Sequence, residues 1–200
     1  MRNVIAIIGT AGRLTRPLRL QIEALSEQLS VLGFDIVSGG MTGAMRAVAR
    51  GHSKSSIKTN LTHIEPGWGV PLMLNPFEAG VVRTDLGSMR NHLVIRSADL
   101  VIAVSGGAGT LSEIAIAWQE KKPIAVLTGS GGWSDKLANQ SLDQRRTDSI
   151  KGCDNVQELV DWAVSQCPEG AFTGRMNRGF YPFEVPTIHR IHDFEPGIVH

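Results

Sequence analysis

The chain has 200 residues, 42% of them hydrophobic, and a net charge of +1. That length suits one domain with a remainder, and the apolar share supplies a sizeable core. The near-neutral charge argues against a nucleic-acid polymer or a membrane surface as partner. Cys153 and Cys167 form neither a metal motif nor a disulfide framework. With no signal peptide and no bilayer-spanning run, they point to a reducing cytoplasm.

In chain order, residues 4–8 predict a first strand, followed by the turn Gly9, Thr10, Ala11, Gly12. Pro17 suits an early helical position. Leu18, Ile22, Leu25, Leu29 and Leu32 then recur at helical spacing, and Gly33 closes the helix. Residues 34–37 predict a second strand ending in Ser38, Gly39, Gly40, Met41, Thr42, Gly43, with a helix over 44–50 closed by Gly51. A third strand is expected over 57–64, a Gly/Pro-rich loop containing Trp68 over 66–76, and a short edge strand over 80–83. Residues 88–97 predict a helix with Met89, Leu93 and Val94 on one side.

The stretch from Asp99 to Trp118 organises the rest. A β-branched apolar run reads as a buried parallel strand. Gly106, Gly107 and Gly109 follow, then an amphipathic helix starting near Gly109. Residues 123–127 predict another strand, 128–135 a loop with Gly132 and Trp133, and 156–164 a helix. Residues 168–200 lack periodicity but hold four of the six Phe and the only Tyr. Disordered tails are poor in aromatics, so this tail is expected to be an ordered strap over a surface. The domain is placed at 1–167 and the tail at 168–200.

Strands alternating with helices predict an α/β fold, a doubly wound, mostly parallel Rossmann-like sheet. Ligands of such sheets bind beyond the carboxyl ends of the strands, and all four glycine loops fall there. A helix N-terminus fed by a glycine loop can hold an anion, although the same glycines also suit a plain tight turn. No G-x-G-x-x-G occurs, and the second strand ends in Ser38-Gly39 rather than an acid, so NAD is not expected. Neither a P-loop nor a G-x-S-x-G elbow is present. Arg90 offers a fork of donors for phosphate or carboxylate. Glu113 lies four residues after Gly109, beside the loop. The two suit anion binding and general-base hydrolysis. Equally, Glu113 can simply complement the helix dipole, and Arg90 can be a paired surface residue. His189 and His192 have no further ligand cluster, so no metal is expected.

Ser105, Gly106, Gly107, Ala108, Gly109, Thr110, Leu111, Ser112 and Glu113 together resemble the P-G-G-x-G-T-x-x-E signature of the LOG family. That family cleaves cytokinin riboside 5′-monophosphates into free base and ribose phosphate. Ser88-Met-Arg90-Asn91 resembles its M-x-x-R-K segment, residues 38–45 its Y-G-G-G-x-x-G-L-M loop, and residues 132–135 its G-Y-Y-D loop. The likeness covers about residues 3 to 165 and implies catalytic roles for Arg90 and Glu113. It also implies a phosphorylated ligand held by the glycine loops, Asn91 and Trp133, and a homodimer or homotetramer. Ser105 replaces the signature Pro and Asn91 replaces the Lys. The run from Arg90 to Asp99 is more similar to a sister branch that includes molybdenum cofactor carrier proteins. The resemblance therefore implies a carrier of a nucleotide monophosphate or molybdopterin-type ligand, with no cofactor required. The alternative is a nucleoside 5′-monophosphate phosphoribohydrolase.

Overall fold

The computed structural model describes residues 3–67 and 79–167. The expected aromatic strap at 168–200, with His189 and His192, and most of the Trp68 loop lie outside the described residues. The elements run β1 (Val4–Gly9), α1 (Arg16–Val31), β2 (Asp35–Ser38), α2 (Ala44–His52), β3 (Leu61–Glu65) and β4 (Gly80–Arg83). A 3-10 turn (Gly87–Met89) leads into α3 (Arg90–Arg96). Then come β5 (Leu100–Val104), α4 (Ala108–Gln119), β6 (Ile124–Leu127), α5 (Gly132–Leu137), β7 (Lys151–Cys153) and α6 (Val156–Ser165).

The seven strands form one sheet in the order β4-β3-β2-β1-β5-β6-β7, and every neighbouring pair is parallel. The predicted doubly wound α/β fold is therefore the observed one, with all strand carboxyl ends on one edge. Both faces are covered, which is why the central strands are apolar at every position. All five residues of β5 are buried. Ile5, Ile7, Ile36, Ile102 and Val104 pack under α1, α2 and α6, whereas Ala6, Ile8, Val37, Val101 and Ala103 pack under α3 and α4. Thr15 caps α1 by accepting from Leu18 N, with Pro17 at the start of the helix and Gly33 in the left-handed region after it.

Two expectations are corrected and one strand is added. The third strand begins at Leu61, not at residue 57. Asn60 is tied to the Asp35 carboxylate through its N–H (2.8 Å) and side-chain amide (3.2 Å), and Ile57 is exposed. The loop expected over 128–135 ends at Gly131, and α5 starts at Gly132. The three-residue strand β7 was not foreseen, being too short to show a period. Among the described residues no helix is long and apolar enough to cross a membrane, and no group of three potential metal ligands converges.

Candidate functional site

β1 pairs with β2 on one side and with β5 on the other, so the chain changes direction at β1. The loops after β1, β2 and β5 thus meet at the topological switch point, the usual ligand crevice of such sheets. The first two loops are laced together. Ala44 N donates to Thr10 O (2.8 Å), Thr42 Oγ1 to Ala11 O (2.6 Å) and Gly12 N to Thr10 Oγ1 (3.0 Å). Gly9 ends β1 opposite Val104, the last residue of β5.

The third loop is braced from the neighbouring βα unit. Ser105 N donates to Ser130 Oγ (2.8 Å), and Ser105 O accepts from Ser134 Oγ (2.7 Å). Trp133 N donates to Gly106 O (2.9 Å), and Gly132 packs against the Gly106 backbone. The backbone of Gly132 and Trp133 therefore steadies the loop. Ser105 has φ +58, outside the range of Pro, and its N–H is used. A Pro could neither adopt this φ nor donate that hydrogen bond.

Beyond Gly106 the loop is bare. Gly107 occupies the N-cap position of α4, with no side-chain cap, and Gly107, Ala108 and Gly109 are exposed. A Cβ at Gly107 or Gly109 would meet nothing within 4 Å, and neither residue has a left-handed φ. Packing does not require glycine at either position. Their lack of side chains leaves the first N–H groups of a three-turn helix open to the crevice, at its positive end.

Beneath the loop lies a buried ion pair. Arg90 Nη1, at the start of α3, donates to Glu113 Oε1 on α4 at 2.8 Å, and the two residues are 8% and 5% exposed. The guanidinium lies flat against Gly39, where a Cβ would fall 2.4 Å from Nη1, and Nη2 approaches Met41 Sδ at 3.8 Å. Arg90 Nε is buried with no hydrogen-bond partner. Burial pushes the Glu113 carboxyl up to about 7, although Arg90 pulls it down. Gly39, Met41, Arg90 and Glu113 thus come together. Asn91 turns aside, with Nδ2 on Ser112 Oγ at 3.4 Å between α3 and α4.

Two side chains that the sequence reading did not single out support the β2–α2 loop. Glu65, at the end of β3, packs over Gly40, which has φ +64. His63 is fully buried with Nδ1 2.7 Å from Ser38 Oγ, and its Nε2 has no partner. His63 lies between Leu61 and Ile64 in β3, and that polar residue flanked by apolar ones is the available signal.

The fold has known counterparts. An uncharacterised protein of Archaeoglobus fulgidus is 35% identical over 104 residues, covering 52% of this chain and 66% of that protein, just under two thirds of its length. The crystal structure of TM1055 superposes with a TM-score of 0.73 at 28% identity, over 82% of this chain and 99% of that one. The molybdenum cofactor binding protein of Rippkaea orientalis gives 0.68 at 23% identity, over 82% and 97%. The molybdenum cofactor carrier protein of Chlamydomonas reinhardtii gives 0.69 at 21%, over 82% and 98%, a likeness of fold. The SLOG cluster4 family matches residues 2–160, which takes in all the crevice loops together with Arg90 and Glu113. With its parallel sheet and glycine-bared α4 loop, the chain belongs to the SLOG cluster4 family.

Proposed function

We propose that the crevice binds a phosphorylated small ligand, a nucleoside monophosphate or a pterin phosphate, and that the protein carries it. The observation that supports this most is the open N-terminus of α4. Gly107 and Gly109 are glycines without a packing reason, and the helix has no side-chain cap. A phosphate there accepts from the Gly107–Thr110 backbone and gains from the helix dipole. The molybdenum cofactor carriers of the same fold favour a carrier. So does Asn91, which is turned onto Ser112 and brings no charge to stand beside Arg90.

One observation favours a second reading, hydrolysis of an N-glycosidic bond. A carboxyl held near 7 beside the crevice suits an acid or base at neutral pH. The cytoplasm is the proposed location, and a homodimer the proposed assembly. The homodimer is supported by the exposed apolar residues Val81 and Val82 on edge strand β4 and Leu86, Met89 and Leu93 after it in the chain.

Thermal shift and base release test the function together. Nucleoside monophosphates raise the Tm, and the unphosphorylated nucleosides do so far less. Gly107→Asp supplies an N-cap carboxylate, which leaves stability the same or raises it by a few tenths of a kcal/mol. It also sets a negative charge where the phosphate binds, so the ligand-induced shift disappears. Equal shifts from nucleoside and nucleotide would refute phosphate recognition. Base release by the wild type that vanishes in Glu113→Gln would replace the carrier with a phosphoribohydrolase.

A further inference from the structure

A cavity of about 320 Å3 opens on the outer side of the β1–α1 and β2–α2 loops, and four arginines line it. Arg13 comes from the first loop, Arg19 from α1, and Arg46 and Arg50 from successive turns of α2. Thr42 and Gly43 complete the wall toward the crevice. The neutralising charge nearby is small. Glu23, buried on α1, pairs with Arg19 (2.7 Å) and Lys54 (2.9 Å) and touches Arg50 at 3.9 Å. Arg13 and Arg46 are exposed and make no ion pair among the described residues. Arg46 and Arg50 stand at i, i+4 on one helix, where like charges repel. Four guanidinium groups therefore line a concavity whose lining holds no carboxylate, and Glu23 behind it reaches only Arg19 and Arg50 of the four, an arrangement that suits an anion.

We propose that this cavity is a separate binding site for an oligophosphate group, such as the di- or triphosphate chain of a nucleotide. A single phosphate offers only three or four oxygens at one point, whereas a chain of two or three spreads more oxygens and more charge across the concavity for paired hydrogen bonds to several of the forks. The volume lies at the small end of ligand pockets and fits a compact group. A nucleic-acid backbone instead needs basic residues spread along a groove. The Thr42–Gly43 wall belongs to the same loop that places Gly39 and Met41 against Arg90, so the two sites adjoin without sharing their charged residues.

Isothermal titration at fixed ionic strength, with inorganic tripolyphosphate, orthophosphate and a short single-stranded oligodeoxynucleotide, tests this on the full chain. Tripolyphosphate binds at least about tenfold more tightly than orthophosphate. Arg46→Glu and Arg13→Glu each weaken it by about tenfold or more. Both positions are exposed, so their melting curves stay close to wild type, and either variant alone suffices. Gly107→Asp leaves tripolyphosphate binding intact, which separates this site from the α4 crevice. Equal affinity for the two phosphates, or unchanged affinity in both charge reversals, would overturn the proposal. So would tighter binding of the oligodeoxynucleotide, lost in the same variants, which would make the surface a nucleic-acid contact. Loss of tripolyphosphate binding in Gly107→Asp would assign it to the crevice instead.

Discussion

Burial pushes Glu113 up to about 7, from an ordinary 4.5, against the pull of Arg90. Burial also holds His63 down to about 4, from an ordinary 6.5, with His52 adding to the effect. These two groups act on stability with opposite signs. Between pH 4.5 and 7 folded Glu113 keeps a proton that the unfolded chain has released, so stability falls as pH rises. Between pH 6.5 and 4 the unfolded chain binds a proton that buried His63 refuses, so stability falls as pH drops. Over their shared range the two offset each other. Glu113→Gln removes the first and retains an acceptor for Arg90 Nη1. Relative to wild type, this variant should gain up to roughly 3 kcal/mol between about pH 5 and about pH 8. Urea unfolding of both proteins across that range measures the difference. A gap that does not change with pH would mean that Glu113 stays ionised throughout.

At the scale of elements, α4 has no basic residue in its last turn, and a distant segment supplies one. Arg146, between α5 and β7, donates to Trp118 O (3.3 Å) and Lys122 O (3.0 Å). It also stacks on the Trp118 ring at 4.3 Å and pairs with Asp148. Trp118 Nε1 answers by donating to Asp143 Oδ1 at 3.0 Å. Arg146→Ala should cost about 2–3 kcal/mol, and Lys should restore only part, since a point charge cannot both stack and fork. The urea midpoint reads this loss, and an unmoved midpoint would show that the latch does not hold α4. The same segment shows where the sequence was hard to read. Strand β1, helix α1 and the β5–α4 unit announce themselves by apolar period and glycines. Helix α5 has six residues and begins on a glycine, and β7 has three, so neither repeats its period often enough to be read. Arg90 and Glu113 are legible as motif residues, but the buried ion pair that joins them is seen only in the fold. The arginine cavity was not legible, because its residues come from a loop and two helices that only folding brings together. Ser105 was visible as a departure from the LOG signature, but the left-handed φ and donated N–H that a Pro could not supply exist only in three dimensions.

At the scale of the molecule, β4 is an edge strand whose four residues are all exposed. Val81 and Val82 on it, and Leu86, Met89 and Leu93 after it in the chain, are large apolar residues from 40% to 69% exposed. Apolar edges of this kind are covered in solution, most often by a two-fold partner. Light scattering should give twice 21.6 kDa for the wild type and the single-chain mass for Val82→Glu or Met89→Glu. A wild-type monomer at micromolar concentration would reject the homodimer. The position of β1 has a further consequence, for the order in which the chain assembles. Val4 N reaches Asp99 Oδ2 at 2.8 Å, Asp99 N reaches Val4 O at 2.8 Å, and the β1–β5 ladder begins beside them. During synthesis β1 can pair with β2 early, but its other edge stays open until β5 emerges some 95 positions later. Closing that seam joins two half-sheets through a long loop, a slow step that leaves an apolar strand edge unpaired in the meantime. The strand that creates the crevice in the finished molecule is thus also the one that a nascent chain must shield longest.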